Sequence, residues 1–492
     1  MNVSVIGAGI GGLATAARLA AKGYAVTVFE ANSYPGGKLS SIQLGNYRFD
    51  AGPSLFTLAQ LVDEVIALNP NPELIPFSYQ KLNTVCNYFY EDGLRLTAHA
   101  DPNELANELA TKTGVDKKTI FNYLQKAALK YESTAELFVE DTIHRIGHLK
   151  PNKVWKGLRN IPALDVFKTM HEVNSELLDE PHLVQFFNRY ATYNGSNPYK
   201  APGLLTMIPH LEQNLGAFFP EGGMQSITNA LYQTCVNLGV TFHFSSKVEQ
   251  IWIEHKQVKG IVLNGNKMAS DLVVSDIDIH ALYYQLMPGL KIPKRILKQE
   301  KSSSAIIFYW GMQSHFPELD LHNIFFSANY QAEFKHLFDT KTMYDDPTVY
   351  VNISSKHKKD DAPINHENWF VMVNAPHNDG SQNWDEFISR TRKNVIQKLN
   401  RILNSNIDLL IAEESILEPR SIESKTSSYG GSLYGNSSNG KFSAFLRHKN
   451  YSSTYKGLYL CGGSVHPGGG IPLCLNSGKI VANLIEEDYP LT

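Results

Sequence analysis

The chain contains little cysteine, no excess of charge of either sign and no long apolar run. Its four cysteines, Cys86, Cys235, Cys461 and Cys474, are far apart and form no CxxC pair. This pattern excludes a disulfide scaffold and a thiolate zinc site, and it predicts a reducing, cytoplasmic environment and no bound metal. The formal net charge of −3 lacks the basic excess of general nucleic-acid-binding proteins. We therefore expect no nucleic-acid partner.

No stretch of about twenty uncharged apolar residues occurs, so the sequence predicts no membrane-spanning helix. Residues 3–21 are mostly apolar, but they lack a basic start, include Arg18 and are interrupted by glycines. This composition favours a folded segment over a signal peptide. We expect a protein that is soluble or peripheral to a membrane.

The beginning of the chain has the order strand, glycine-rich turn, helix, strand. Residues 3–6 have the β-branched pattern of a buried parallel strand, residues 13–22 are rich in alanine, and residues 25–29 predict a second strand. The turn at residues 7–12 reads GAGIGG. This order is typical of the nucleotide-binding half of a Rossmann-like α/β fold.

The glycines of this turn have the spacing of a dinucleotide-binding loop. Gly7 permits the tight turn, Gly9 lets the backbone approach a pyrophosphate, and Gly12 lets the helix pack on the strand. The helix N-terminus offers amide donors to the phosphates. Glu30 ends the second strand, where it can accept hydrogen bonds from ribose hydroxyls. We expect Gly7, Gly9, Gly11, Gly12 and Glu30 to bind a dinucleotide.

A second glycine pair favours FAD over NAD. Residues 36–38 read GGK, and residues 47–54 read YRFDAGPS. A glycine pair with a cation just after the second strand can wrap the chain around a long cofactor. These residues resemble the FAD fingerprint of the flavin amine-oxidase and carotenoid-desaturase superfamily. That family usually has arginine where Lys38 stands, and lysine keeps the charge without the bidentate geometry.

The C-terminal residues repeat the order strand, glycine loop, helix. Residues 458–461 predict a strand, residues 462–472 read GGSVHPGGGIP, and residues 473–485 predict the last helix. The amides of this helix N-terminus can stabilise negative charge in a reduced flavin ring. The run closely resembles the bacterial-type phytoene desaturase family. With residues 47–54 and PEGGM at residues 220–224, the resemblance extends in order over nearly the full chain.

The resemblance implies an α/β fold in which a Rossmann-like FAD-binding domain is interwoven with an antiparallel-sheet substrate domain and a helical cap. The FAD-binding domain would comprise residues 1–80, 216–285 and 426–492. The substrate domain would comprise residues 81–215, which include the helical cap, and residues 286–425. The residue pattern itself predicts helices over most of residues 101–213 and strands between residues 303 and 374.

The resemblance also implies further FAD contacts, because each family motif has a counterpart here. It places the backbone of Val248 against the adenine and Asp276 where the chain re-enters the FAD-binding domain. Since no cysteine stands in a covalent-flavin pattern, we expect the FAD to be bound non-covalently. The additional cofactor-binding residues are Gly37, Lys38, Gly52, Pro53, Ser54, Leu55, Val248, Asp276, Gly463, Ser464, Gly470, Ile471 and Pro472.

The activity implied by the resemblance is that of an FAD-dependent carotenoid desaturase, an oxidoreductase of carotenoid biosynthesis that forms a C=C bond by hydride transfer to the flavin. Residues 434–439 (YGNSSN) and 444–447 (AFLR) look like those of members that act on hydroxylated or cyclised carotenoids, which favours the hydroxycarotenoid 3,4-desaturase subgroup. The electron acceptor would be oxygen or a quinone. Two alternatives stay open: another flavin oxidase of the amine or protoporphyrinogen type, and a non-catalytic lipid-binding relative.

The sequence identifies no catalytic acid or base. Glu221 could be a base, but an exposed glutamate in a turn is the commoner case. His466 could also be a base, and we interpret it instead as a brace for the glycine loop. A cation that develops beside a polyene is stabilised by the conjugated chain, so the reaction does not require a protein base.

A basic, aromatic-containing segment predicts contact with a membrane. Residues 144–170 hold six cations against the single acid Asp165, interleaved with apolar residues. Anionic headgroups attract such a stretch, and its apolar side chains can enter the interface. We expect a peripheral location at the inner face of the cytoplasmic membrane; the alternative is a solvated helix pair. The cations are Arg145, Lys150, Lys153, Lys156, Arg159 and Lys168.

Overall fold

The computed structural model describes residues 1–148, 163–440, 443 and 446–491. In chain order its strands are β1 (Asn2–Ile6), β2 (Ala25–Phe29), β3 (Ser41–Leu44), β4 (Tyr47–Asp50), β5 (Tyr79–Lys81), β6 (Thr84–Phe89), β7 (Arg95–His99), β8 (Phe218–Pro220), β9 (Thr241–His243), β10 (Gln250–Glu254), β11 (Gln257–Leu263), β12 (Asn266–Ala269), β13 (Leu272–Ser275), β14 (Ser304–Met312), β15 (His322–Phe325), β16 (Val349–Asn352), β17 (Glu367–Ala375), β18 (Ile411–Leu417) and β19 (Leu458–Leu460).

The α-helices are α1 (Ile10–Ala21), α2 (Gln60–Ile66), α3 (Pro102–Thr113), α4 (Lys117–Phe138), α5 (Met170–Leu178), α6 (Pro181–Asn188), α7 (Gln225–Asn237), α8 (Ile279–Ala281), α9 (Lys294–Leu297), α10 (Tyr330–Lys335), α11 (Trp384–Leu403), α12 (Ile407–Leu410), α13 (Pro419–Thr426) and α14 (Ile471–Asp488). Short 3₁₀ helices at Arg189–Asn194 and Gly203–Met207 and a π-helical turn at His210–Asn214 matter for the site described below.

A five-stranded parallel sheet contains the two strands of the predicted nucleotide-binding unit. Its order is β19-β13-β1-β2-β9, so three distant parts of the chain build one sheet. β1, β13 and β19 are short, mostly apolar runs buried on both faces, as parallel strands covered by helices require, whereas the edge strand β9 is partly exposed. Helices α1, α7 and α14 contribute to the hydrophobic core beside this sheet. At Gly478, a Cβ would lie 2.9 Å from the Cβ of Ala14, so glycine lets α14 approach α1 closely.

The second large sheet has seven strands in the order β18-β14-β17-β16-β15-β6-β7. Its neighbours pair antiparallel except for β15 and β6, which run parallel. Side chains alternate between two faces, as strand geometry dictates. One face packs its largest side chains, such as Phe308 and Trp369, into a core shared with α11. The other face lines a cavity, with Ile307, Tyr309 and Met372 among its residues.

The structure confirms the α/β fold class, with one parallel sheet and a mainly antiparallel second sheet. Helix α1 begins at Ile10, earlier than the predicted residue 13, so Gly11 and Gly12 lie in its first turn. Sequence reasoning missed β6 and β7, whose inward residues pack against α3, α4 and the helices near residues 170–190. The domain bounds given above remain a prediction.

Among the described residues, no helix combines the length and the apolar character needed to cross a membrane.

The two faces of β14 should respond differently to truncation. We expect Phe308→Ala to destabilise the protein by about 3–5 kcal/mol, because it leaves a hole in a closed core. Ile307→Ala should lower the free energy of unfolding by less, because the Ile307 side chain lines a space that is already open. Thermal unfolding of both variants measures the difference. An equal loss of Tm would contradict the assignment of the two faces.

Candidate flavin site

The turn between β1 and α1 is closed by Glu30. Gly7 has φ +96°, a conformation that favours glycine. One carboxylate oxygen of Glu30 accepts a hydrogen bond from the Ala8 amide at 2.7 Å, and the other accepts from the Asn32 amide at 2.8 Å. The second glycine pair lies against this turn, since the Gly36 amide donates to the Ala8 carbonyl at 2.8 Å. The two glycine elements therefore form one surface.

Asp276 lies against the same glycines from the end of β13. A Cβ at Gly9 would come within 2.4 Å of an Asp276 carboxylate oxygen, and one at Gly11 within 2.6 Å. Burial raises the pKa of Asp276 to about 7, although the Gly12 amide and the Cys461 thiol hydrogen-bond to the carboxyl and oppose the shift. This carboxyl is neutral in mildly acidic solution, which suits a group next to a phosphate-binding turn.

Two motifs that are distant in sequence meet at Asp50. Its carboxylate accepts hydrogen bonds from the amides of Met224 at 2.9 Å and Gln225 at 3.2 Å, so it caps the start of α7. Gly52, two residues on, must be glycine, because a Cβ there would lie 1.8 Å from the Lys38 carbonyl oxygen. The YRFDAGPS and PEGGM runs thus shape one wall of the site.

The C-terminal loop completes the site. Gly470, with φ +109°, precedes α14, and Pro472 occupies the first turn of that helix. The Lys38 ammonium donates to the Leu433 carbonyl at 2.8 Å, and burial lowers its pKa. Arg447 donates to the carbonyls of Tyr434 at 3.0 Å and Gly463 at 3.3 Å, and burial lowers its pKa to about 10.

A cavity of about 860 Å³ connects these loops with the open face of the seven-stranded sheet. All of the predicted cofactor residues line it except Gly12, whose Cα faces the Gly7 carbonyl and serves the packing of α1. The structure adds lining residues that sequence reasoning did not name as site residues. Tyr434 and Arg447 belong to the runs at residues 434–439 and 444–447, which indicate only the substrate subgroup, and the others stand in no motif. The added lining residues include Tyr34, Asp278, Lys425, Tyr434, Arg447 and Cys474.

Away from the glycine loops, the cavity wall is largely apolar. The sheet supplies Ile307, Ile324, Phe370, Met372 and Leu417. The helical segments opposite the sheet supply further apolar residues. These are Leu204, Leu205, Met207, Ile208 and Leu211. A long apolar ligand that reaches the glycine loops would be enclosed by this wall.

The two side chains considered as bases lie outside the cavity lining. Glu221 is exposed in a turn and accepts a hydrogen bond from the Ser78 hydroxyl at 2.7 Å. His466 is buried, and its Nε2 donates to the Asp141 carbonyl at 2.9 Å. Burial lowers the pKa of His466 to about 4. This geometry favours the bracing role for His466 over acid–base chemistry.

The fold and the site define a flavin-dependent oxidoreductase. The chain belongs to the family of flavin containing amine oxidoreductases, whose model matches residues 10–485, and within it to the carotenoid desaturases. The resemblance drawn from the sequence motifs is therefore confirmed.

Two relatives illustrate this membership, and one solved structure shares the fold. The chain is 48% identical to the 1-hydroxycarotenoid 3,4-desaturase of Flavobacterium sp. (strain P99-3), over 98% of both chains. It is 31% identical to the phytoene desaturase of Fusarium fujikuroi, over 99% of this chain and 89% of the relative. A triple mutant of putrescine oxidase has the same fold, with a TM-score of 0.66, 12% identity and 99% of both chains covered.

Replacement of Asp276 by asparagine tests the electrostatics of the glycine surface. The pKa of Asp276 is about 7 in the folded protein, against an ordinary value of 3.8. Between these two pKa values the folded state binds a proton that the unfolded state releases. The free energy of unfolding of the wild type therefore falls as pH rises from about 4 through about 7. In flavin-free protein, we expect the Tm of Asp276→Asn relative to wild type to increase between about pH 5 and pH 7.5, then to level off.

Asp385→Asn is the matched control, because this carboxylate is 84% exposed, pairs with Arg420 at the surface and lies outside the cavity lining. Its Tm difference from wild type should vary little over the same range. A pH-independent difference for Asp276→Asn would contradict the assignment of a neutral buried carboxyl.

Proposed function

We propose that this protein is an FAD-dependent desaturase that introduces a C=C bond into a carotenoid, with a hydroxylated, acyclic or monocyclic carotenoid as substrate. The observation that carries the proposal is one cavity in which the glycine loops meet an apolar sheet face. A polyene needs such an apolar enclosure, and oxidation needs the polyene to reach a cofactor. The name of the 48% identical relative supports the hydroxylated substrate and the 3,4 bond.

We propose FAD as the flavin because the site fits a long dinucleotide. Backbone positions where a Cβ would collide form the expected phosphate cradle, with Gly9 and Gly11 as examples. The Glu30 carboxylate accepts three hydrogen bonds from amide groups and keeps capacity for a ribose hydroxyl, and Val248 lines the cavity at the expected adenine side. The α14 N-terminus would face the flavin ring. The sequence has no cysteine in a covalent-flavin pattern, and this supports non-covalent binding.

The residues that line the cavity indicate which part of the reaction the protein performs and which part the cofactor performs. Bound FAD would supply the two-electron oxidant for removal of two hydrogens from a saturated bond. The apolar residues of the sheet face hold the polyene and exclude water. The chain does not need to provide a base, because the conjugated polyene stabilises the developing positive charge. We propose oxygen or a membrane quinone as the acceptor that re-oxidises the cofactor.

Anaerobic mixing with carotenoids tests the proposed function. The purified protein should show a flavin absorption band that bleaches when a hydroxylated acyclic carotenoid is added. The product spectrum should shift to longer wavelength, because a new double bond extends the conjugation. Bleaching by amines or by protoporphyrinogen, with none by carotenoids, would replace the proposal with a flavin oxidase. Purified protein without a flavin band would support a lipid-binding relative.

We further propose that the segment at residues 144–170 contacts the membrane surface from which the substrate is taken. Four of its cations, Lys150, Lys153, Lys156 and Arg159, lie outside the described residues. Within the described part, Phe167 is 73% exposed, which supports an apolar contact. The two remaining cations are paired with acids on the protein, so they contribute less: Arg145 with Asp488 and Lys168 with Glu176.

Sedimentation with vesicles tests this contact. Changing Lys150, Lys153, Lys156 and Arg159 to glutamate should lower binding to anionic vesicles by at least about tenfold, since each cation near the surface contributes about 1 kcal/mol. Flavin content should stay the same. Unchanged vesicle binding would contradict the proposal. The matched control changes four exposed cations elsewhere to glutamate and should bind nearly as wild type: Lys291, Lys294, Arg295 and Lys298.

A further inference from the structure

One part of the otherwise apolar cavity wall is polar. We call it the polar patch and define it as Arg189, Tyr193, Glu212, His322 and Tyr350, all of which line the cavity. A hydrocarbon chain cannot form hydrogen bonds with these groups. Buried charged and polar groups in such surroundings are unfavourable unless they are paired. The patch therefore needs an explanation that a plain polyene does not provide.

The ion pair of Arg189 and Glu212 is nearly complete but leaves one donor free. Arg189 is 8% exposed and Glu212 1%. Arg189 Nη2 donates to Glu212 at 3.2 Å and to the Tyr88 hydroxyl at 2.6 Å, and Nη1 donates to the Tyr193 hydroxyl at 3.3 Å. Arg189 Nε finds no acceptor among the residues that the structure describes.

His322 leaves a second donor free. Its Nδ1 accepts from the Asn352 amide at 3.2 Å and lies 2.7 Å from the Tyr350 hydroxyl. Burial lowers the pKa of His322 to about 3, so the ring is neutral. Since Nδ1 is an acceptor, the single proton is on Nε2. This buried Nε2–H also has no acceptor in the described part of the chain.

The sheet register places these groups together and next to a cofactor loop. His322 lies on β15, opposite Asn352 of β16. On its other side β15 pairs with β6. Tyr88, on β6, holds Arg189. On the other side, the Tyr350 hydroxyl lies 2.7 Å from the Ser54 hydroxyl, which belongs to the predicted FAD-binding run. The patch thus extends from the 3₁₀ helix at Arg189–Asn194 to the cofactor loop that contains Ser54.

We propose that the polar patch binds the hydroxyl oxygen of a hydroxylated polyene, with His322 Nε2 and Arg189 Nε as the donors. A hydroxyl oxygen has two lone pairs and can accept both hydrogen bonds. The hydroxyl can also donate a hydrogen bond to the Glu212 carboxylate. This inference rests on the proposed function and identifies the part of the site that selects its substrate. In a 1-hydroxycarotenoid, only carbon 2 separates the hydroxyl-bearing carbon from the 3,4 bond. A hydroxyl site beside the cofactor loops fits that short separation.

Two variants and one control test the patch. His322→Phe keeps an aromatic ring beside Tyr350 but removes the Nε2 donor. Tyr193→Phe removes one hydroxyl that bonds to Glu212 at the cavity wall. Tyr190→Phe is the matched control, because its hydroxyl also donates to Glu212, at 2.7 Å, but its ring is fully buried and outside the cavity lining.

The probes are a 1-hydroxylated acyclic carotenoid and the same polyene without the hydroxyl. For His322→Phe we expect kcat/KM and equilibrium affinity for the hydroxylated probe to fall at least about tenfold, and those for the hydrocarbon to stay within about twofold. Tyr193→Phe should shift the ratio in the same direction by less, and Tyr190→Phe should leave the ratio unchanged.

The outcomes separate this inference from the proposed function. Equal losses for both probes, or loss of flavin from His322→Phe, overturn the patch as a hydroxyl site, because they show a structural or cofactor-holding role. Turnover by wild type with no preference between the probes overturns the patch and leaves the desaturase standing. Hydroxyl-dependent binding without turnover, lost in His322→Phe, supports the patch and contradicts the desaturase.

Discussion

A chain of charges with two buried carboxylates, Asp361–Arg48–Asp50, joins the nucleotide-binding part of the protein to the seven-stranded sheet. Arg48 donates to Asp50 at 2.7 Å and to both oxygens of Asp361 at 3.2 Å, and Asp361 is 0% exposed. Removal of Arg48 would leave the buried Asp50 without its cationic partner, which is costly, whereas Asp361 would keep its ion pair with Lys358 at 3.0 Å. Asp50 also caps α7 through the Met224 amide. The cavity lies where these parts meet, so its shape depends on this junction.

The two halves of the cavity obey different physical constraints. The glycine-rich half is built from backbone, and at Gly52 or Gly11 even a methyl group would collide with neighbouring atoms. The sheet half is built from alternating side chains, so its residues can change in size and polarity without disturbing the core behind them. A family with this fold can therefore keep the cofactor half and alter its substrate through the sheet half.

The cofactor half could be predicted from sequence because its signals are local. Gly7 to Gly12 and Glu30 follow strand and helix patterns within one short segment, and the glycine runs near Gly470 repeat the same order. The sheet half could not, because its members come from separate strands. The pairing of β15 with β6, which brings His322 near the Tyr88–Arg189 contact, has no counterpart in local periodicity. Single polar residues such as Glu212 carry no signal of burial until the fold is known.

The polar patch shows why a buried ion pair can persist in a wall made for a hydrocarbon. A buried ion pair often adds little to the free energy of unfolding compared with apolar residues of similar volume, so stability alone does not account for Arg189 and Glu212 in this wall. The proposed role of the pair is to bind a ligand group that the apolar wall alone could not recognise. The neutral His322 reinforces this, since its ring N–H and Arg189 Nε are both buried donors without an acceptor in the described part of the chain. Specificity would then come from leaving these donors unpaired whenever the ligand lacks the oxygen.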